Sequence, residues 1–508
     1  MNEQARIPKR QKVAMPSLTS RALVYIRSRW VLITAISVLI VVPCYWHRRI
    51  AAGDLASHTY NAWLAQLIGQ DHAPGLYVVQ QWNNVVVDLA LLHLGNSVGF
   101  IVAERIVSAA CVLVFFWGAF AFVSAATLRI QWFLVPAIAM ISYGYTFYMG
   151  FMNFYLSLGL GFFAAALFWR GTRADWIGGL VLSILTLMAH PLGFACLVGT
   201  VGYISVAEKT RGFYRWGVFI SAFLVLYGLN VFIHAHYRNA GRFSHTFYFM
   251  NGADQLVLFG ARYISLTCIV FISISLCVGL ALIPGGNPSP PVRTFRTPSE
   301  LWMLMIFAAA MIPEFIWLPR YGDNSSFGFV VSRLTTMTAI FGICVLGSTQ
   351  LGKGHVVGLS AMAVAFFIFQ YEDTGALNRM EQQAEQLIRL LPYGRRVLDT
   401  TCTGDSRIPG HLVDAACLEK CFSYSNYEAA THQFRVRALP GNTIVSISAD
   451  ANRQMGEGQY IVRKEDLPIS QIYSCDAADL NKLCIRDLTA GEKNGPINCM
   501  PELTDSQK

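Results

Sequence analysis

The sequence predicts an α-helical polytopic membrane protein with about eleven transmembrane helices and a small C-terminal extracytoplasmic α/β domain. Three observations lead there. The 508-residue chain is 54% apolar and only 14% charged, too apolar for a soluble globular protein. Its charge is divided: residues 1–370 hold 24 Lys and Arg against 11 Asp and Glu, whereas Tyr371 to Lys508 hold 15 against 19. Finally, apolar runs near the length a bilayer requires recur between short loops, and every second loop is basic.

Taken in order, residues 1–29 form a basic N-terminus, with Arg6, Lys9, Arg10, Lys12, Arg21, Arg27 and Arg29 against Glu3 alone. The first apolar run, Trp30 to Trp46, is bracketed by tryptophan and lacks a following small-residue cleavage site. It reads as an anchor with its N-terminus in the cytoplasm. Residues 47–97 form the first outer loop. Ten further spans are expected near 98–124, 132–146, 154–169, 176–189, 192–206, 216–234, 262–283, 301–318, 328–348 and 355–370. Arg129, Arg170 with Arg173, Lys209 with Arg211 and Arg215, Arg293 with Arg296, and Lys353 then share the N-terminal side. Residues 176–206 keep this alternation only as a hairpin turning at His190-Pro191. The membrane part thus covers 30–370 and the soluble domain 371–508. In that domain "GALNRMEQQAEQLIRLLP" reads as a helix, and "RRVLDTTC", "FRVRAL", "NTIVSI" and "QYIVR" read as strands.

Cysteine follows the same division. Cys44, Cys111, Cys196, Cys268, Cys277 and Cys344 lie singly in apolar runs, as small buried hydrophobes do. Cys402, Cys417, Cys421, Cys475, Cys484 and Cys499 lie in the tail, where an outside location favours disulfides, with their pairing open. Cys417 and Cys421 are also spaced as zinc ligands are, but no second close pair completes such a site. The positive charge is a topology signal, and no motif points to nucleic acid.

Charge within a span is costly, so its position carries information. Asp54 and His58 follow the first span, Glu104 and Arg105 open the second, and His190 sits at the hairpin turn. Glu314, Arg320, Asp323 and Arg333 gather around the outer ends of two later spans. All lie toward the outer leaflet, whereas a secondary transporter places its coupling residues near the midplane. The segment "GDLASHTYNAWL" sets Asp54 and His58 four residues apart on one helical face. The helix is amphipathic and suited to lie along the membrane surface, with Asp54 as a general base; the plainer reading makes Asp54 a helix cap. "YGYTFYMGFMNFY", which includes Asn153, reads as an interfacial aromatic belt. "DAACLEKCFSYSNYE" offers Tyr424, Asn426, Tyr427 and Glu428 as a groove, or as a disulfide-pinned packing segment.

An acidic residue in the first outer loop, here "GDLASHTYNAWL", resembles the GT-C-type membrane glycosyltransferases. "YGYTFYMGFMNFYLSLGLGFFAAALFW" is similar to the third and fourth helices of bacterial members, and the odd helix count and outer tail agree. The chain departs from the pattern in one respect: Asp54 is followed by Leu55, so a second acid is missing or comes from Asp88 or Glu104. The resemblance implies an enzyme of the bacterial inner membrane, with the N-terminus cytoplasmic and the tail periplasmic. It would transfer sugar from a polyprenyl-phosphate donor to a glycan, lipid or protein acceptor. Asp54 and His58 would be catalytic. Arg333, Arg320 and Arg105 would meet the lipid phosphate, and Glu104, His190, Asn153 and Tyr427 would complete substrate binding. The acidic residues mark no metal site and leave divalent-metal dependence open. The main alternative is a transporter or flippase of a lipid-linked intermediate. A His190-dependent acyl- or phosphoethanolamine-type transferase and a non-catalytic sensor or scaffold are further alternatives.

Overall fold

The computed structural model describes residues 18–240, 250–282, 292–318, 326–349, 352–401, 411–430, 434–476, 479 and 481–495. Nine of the eleven expected spans fall on one helix each: Leu18–Val41, Phe100–Thr127, Met152–Arg170, Asp175–Ala189, Pro191–Ala207, Gly212–His236, Ala261–Leu282, Val330–Gly347 and Lys353–Arg389. The expected span 132–146 is instead broken into Trp132–Leu134, Val135–Ser142 and Tyr145–Tyr148, and the expected span 301–318 leaves its helix at Met311 and ends in the strand Phe315–Trp317. Among the described residues, six helices are long and apolar enough to cross a membrane, beginning at Leu23, Phe100, Met152, Gly212, Val330 and Lys353. The expected hairpin also forms, with His190 alone separating two helices. Leu180, Ile184, Leu224, Val225, Val357 and Val364 expose more than half of their surface, a face that acyl chains would cover and water would not.

Packing at the bundle centre depends on glycine. Phe100–Thr127 and Met152–Arg170 cross where Gly118 meets Gly159, so close that a side chain at either would strike the opposite backbone. Polar contacts mark the two ends. At one end Arg215 pairs with Glu300, Thr297 donates to Glu208 at 2.7 Å, and Arg170 lies 3.9 Å from Glu208. These are the basic loops of the alternating pattern. At the other end Asp54 N–H bonds Met149 O at 3.0 Å and Asn84 N–H bonds Met188 O at 2.9 Å. The first long loop and the C-terminal region meet at this second end.

Several local expectations are corrected. The last span and the first tail helix form one 37-residue helix, Lys353–Arg389, because no proline interrupts the run. The helix Gly53–Gly69 does not lie free on a surface: Leu55, Tyr60 and Leu64 are fully buried between neighbouring elements. The aromatic run is interior and forms no belt. Tyr143, Tyr145 and Tyr155 have no exposed surface, and Tyr143 O–H donates to Ile40 O at 2.7 Å. In the C-terminal region "NTIVSI" turns instead of extending, since Asn442 Oδ1 accepts from the N–H groups of Ile444 and Val445. "QYIVR" makes only an isolated bridge from Ile461 to Lys493.

The strands that do form build a four-stranded sheet in the order Phe422–Ser423, Arg396–Thr400, Ile469–Ser474, Leu483–Leu488. Its first three strands are parallel and the last is antiparallel. Val436–Ala438 leaves this sheet and pairs antiparallel with Leu76–Val78 of the first loop. Cys417–Cys421 and Cys475–Cys484 are disulfide-bonded, so the first pair is a disulfide and not a zinc-ligand pair. Cys402 and Cys499 lie outside the described residues.

Candidate functional site

Asp54 sits in the first turn of Gly53–Gly69, but Ala52 is the cap residue and no side chain caps the helix. The plainer reading of Asp54 therefore fails. Its backbone is held against the loop before Met152 by the bond to Met149 O. Gly150 makes this approach possible: its φ is +80°, and a Cβ there would lie 2.6 Å from Asp54 N. The carboxylate is consequently free to face His411, whose Nε2 lies 3.2 Å from Oδ1, and Tyr427, whose hydroxyl donates to Oδ1 at 3.5 Å. His411 Nδ1 is 2.9 Å from Asp414 Oδ2. An imidazole between two carboxylates favours its doubly protonated form. Burial opposes this charge, but the bonds and fields of Asp414 and Asp54 prevail and push His411 up to about 10. Burial likewise pushes Asp54 up, yet the His411 bond, with the charges of His411, His58 and Arg333, holds it below the usual carboxylate range.

A second cluster adjoins the first. His58 Nδ1 lies 2.7 Å from Asp88 Oδ1 and 3.9 Å from Glu428 Oε1. Asn153 Nδ2 donates to Asp88 Oδ2 at 2.8 Å, while its Oδ1 accepts from Val87 N–H at 2.9 Å, fixing the amide orientation. Burial works against charge on His58, but Asp88, then Glu428 and Asp54, push it up to about 10. Burial raises Glu428 to about 7 against the pull of His58. Of the two further acids the sequence offers, Asp88 joins this cluster and is committed to His58, while Glu104 lies 4.0 Å from Arg49.

Both clusters border a cavity of about 900 Å³ that Asp54, His58, Asn153, His190, Arg333, His411 and Tyr427 all line. Arg333 projects from the first turn of Val330–Gly347, its guanidinium 4.2 Å from the Phe151 ring centre and also over Phe154 and Phe327. Its Nε is buried without a hydrogen-bond partner among the described residues. Glu314 does not neutralise it at close range: Glu314 caps the same helix, accepting from Val331 N–H and Ser332 Oγ, both at 2.8 Å. His190 Nδ1 accepts from Leu192 N–H, so His190 both caps the helix Pro191–Ala207 and faces the cavity. Phe315, Leu318, Phe327 and Phe329 supply an apolar wall; Gln80, Trp82, Asn83 and Arg437 supply a polar one.

Two expected site residues lie elsewhere. Arg105 donates to the carbonyls of His47 and Arg48. Glu104 is buried 4.0 Å from Arg49, which also binds Glu385. These contacts join the first loop to the long helix Lys353–Arg389 and do not reach the cavity. Arg320 and Asp323 lie outside the described residues. His411, Asp414 and Arg437 were not anticipated; the only signal was that "DAACLEKCFSYSNYE" begins at Asp414, three residues after His411. Tyr424 instead donates to Asp466 at 2.5 Å within the C-terminal region. Among the described residues, no group of three or more His, Cys, Asp and Glu side chains is placed to hold a metal ion. Compared with known proteins, the chain matches no family model, no curated protein and no solved structure.

Proposed function

We propose that the protein is a membrane glycosyltransferase that takes sugar from a polyprenyl-phosphate donor at the membrane face where the first loop and the C-terminal region meet. The observation that carries this reading is a cavity presenting a poised carboxylate, Asp54, a guanidinium without a close anionic partner among the described residues, Arg333, and an apolar wall. Each part has a matching substrate part. The wall suits an isoprenoid chain, and the guanidinium suits the phosphate. The carboxylate accepts the proton of the acceptor hydroxyl as that oxygen attacks the anomeric carbon. The new C–O bond forms while the bond from the anomeric carbon to the phosphate oxygen breaks. The electron pair leaves with polyprenyl phosphate, whose added charge Arg333 meets. Glycosyl transfer passes through an oxocarbenium-ion-like transition state, so a carboxylate kept ionised by His411 serves as base once bonding to the electron-poor anomeric carbon has acidified the hydroxyl.

The flippase alternative requires a polar path between the two bundle ends, whereas the described cavity is lined from one end only. To test the proposal, full-length protein in lipid nanodiscs is given a panel of polyprenyl-phosphate monosaccharides together with host membrane extract as acceptor source. Release of polyprenyl phosphate is followed. Asp54→Asn should lower the rate by about 10²–10⁴, the usual contribution of general-base catalysis, while the protein stays folded. Full activity in Asp54→Asn would sink the proposal. So would passage of an unaltered labelled lipid across vesicles containing the protein without donor cleavage.

A further inference from the structure

We propose that His411, carried by the C-terminal region, is the positioning residue that aims the Asp54 carboxylate, so that the membrane part works only with that region seated on it. The proposal rests on the glycosyltransferase reading and assigns a duty that neither cluster of membrane charges can perform alone.

The geometry is specific to one oxygen. His411 Nε2 and the Tyr427 hydroxyl both approach Asp54 Oδ1. Among the described residues no hydrogen bond is made to Oδ2. A carboxylate held by one oxygen presents the other in a fixed direction, and Asp54 lines the cavity with about 25% of its side chain exposed. Oδ2 is therefore the atom that takes the acceptor proton, and His411 fixes where it lies. His411 is itself anchored from behind by Asp414, which is almost fully buried in the helix Leu412–Cys417.

That helix is firmly attached to the first loop. The Cys417–Cys421 disulfide closes its C-terminal end. Ser423 N–H donates to the Tyr60 hydroxyl at 2.9 Å, Phe422 stacks on Trp63 at 6.1 Å, and Arg49 donates to Ala415 O at 2.8 Å. Tyr60 and Trp63 lie on the same helix as Asp54, one to three turns farther along. A chain of contacts thus carries the position of the C-terminal region directly to the base. If that region shifts, the His411 bond to Asp54 is the contact that breaks at the site of reaction.

The groups facing this pair are Asp414 and Tyr427 on the C-terminal side, with His58 and Arg333 acting on Asp54 from the membrane side and Glu428 beside Tyr427. His58 and Arg333 remain in a His411 variant, but the strongest support for the ionised carboxylate is lost. Burial then pushes Asp54 upward with less opposition.

The test compares His411→Gln, Asp414→Asn and Asp54→Asn in the full chain in nanodiscs, using release of polyprenyl phosphate from the same donor panel. His411→Gln should lower kcat by about 10–100-fold, the scale expected for a misaimed catalytic group, with the donor KM changed less than about two-fold. The acid limb of its pH profile should move to higher pH. Asp414→Asn, which keeps the imidazole but loosens it, should move both quantities the same way by less. A His411→Gln enzyme with wild-type kcat and pH profile, beside an inactive Asp54→Asn, overturns the positioning role and leaves the glycosyltransferase reading intact. An active Asp54→Asn overturns both. Should His411→Gln fail to fold, Asp414→Asn decides: wild-type kcat and pH profile in that variant overturns the proposal.

Discussion

Arg333 shows at the residue scale how function and stability separate. A half-buried guanidinium whose buried Nε has no hydrogen-bond partner among the described residues costs desolvation that ring stacking only partly offsets. Substitution by methionine should leave the melting temperature unchanged or raise it, while weakening polyprenyl phosphate binding by about 10–100-fold, the worth of a hydrogen bond to a charged group. Tryptophan fluorescence titration measures the binding. A lower melting temperature with intact binding would make Arg333 structural. The histidines give a prediction in pH. His58 and His411 are both raised to about 10, so the stability they add is complete below about 6.5, their ordinary value, and is lost as pH climbs toward 10. Asp54 and Asp88 are lowered; their contribution persists above the ordinary carboxylate value and fades as pH falls below it. Melting temperature should therefore decline from neutral pH to pH 10, and His58→Gln should flatten that slope. An equal decline in the variant would assign the slope to other groups. Sequence alone singled out Asp54, His58, His190, Asn153 and Arg333, because a polar group among apolar neighbours must have a reason for its cost, and Tyr427 through the distinctive stretch "DAACLEKCFSYSNYE". His411 and Asp414 carry no such mark. They sit in a polar region, and the tail approaches Asp54 across hundreds of positions: Tyr427 is 373 residues away.

At the scale of elements, hydropathy located the long helices, since a bilayer demands long apolar runs, but it could not show that 132–146 breaks into short helices or that 315–317 extends as a strand. The strands were less legible. Arg396–Thr400 and Val436–Ala438 were visible as short β-branched runs, but Ile469–Ser474 and Leu483–Leu488 were not, and two expected strands are turns or bridges. Strand identity depends on partners that periodicity cannot name. Leu76–Val78 shows this best, as its partner Val436–Ala438 comes from the opposite end of the chain. Glycine is the other element-scale determinant. Gly150→Ala places a Cβ against the Asp54 backbone and demands an αL conformation that alone costs about 1–2 kcal/mol in an L-residue. The helix start that carries Asp54 should shift, lowering the melting temperature by several degrees and donor turnover together. A variant as stable and active as the parent would show that the loop before Met152 does not set the base.

The whole molecule poses the question of sides. The structure collects alternate loops at opposite ends, and the first loop and C-terminal region share an end by strand pairing, aromatic stacking and the Asp54–His411 contact. Such shared packing requires both segments to lie on the same side of a membrane, whatever side that is. We propose the side from two independent forces. Basic loops resist translocation, which would hold Arg170, Lys209 and Lys353 in the cytoplasm. Disulfides persist in an oxidising compartment, which would put Cys417–Cys421 and Cys475–Cys484 outside. Because these residues lie at opposite ends, the two forces agree on one orientation. Single cysteines placed at exposed positions test it in intact cells with a membrane-impermeant maleimide. Labels should reach position 77 in the first loop and position 439 in the C-terminal region, but not 209 or 353 until the cells are opened. Labelling of 353 with protection of 439 would invert the protein. The proposed site would then face the cytoplasm, where a donor confined to the outer leaflet never arrives. Labelling of 77 without 439 would be a deeper contradiction, because the strand pair between the first loop and the C-terminal region cannot form across a bilayer.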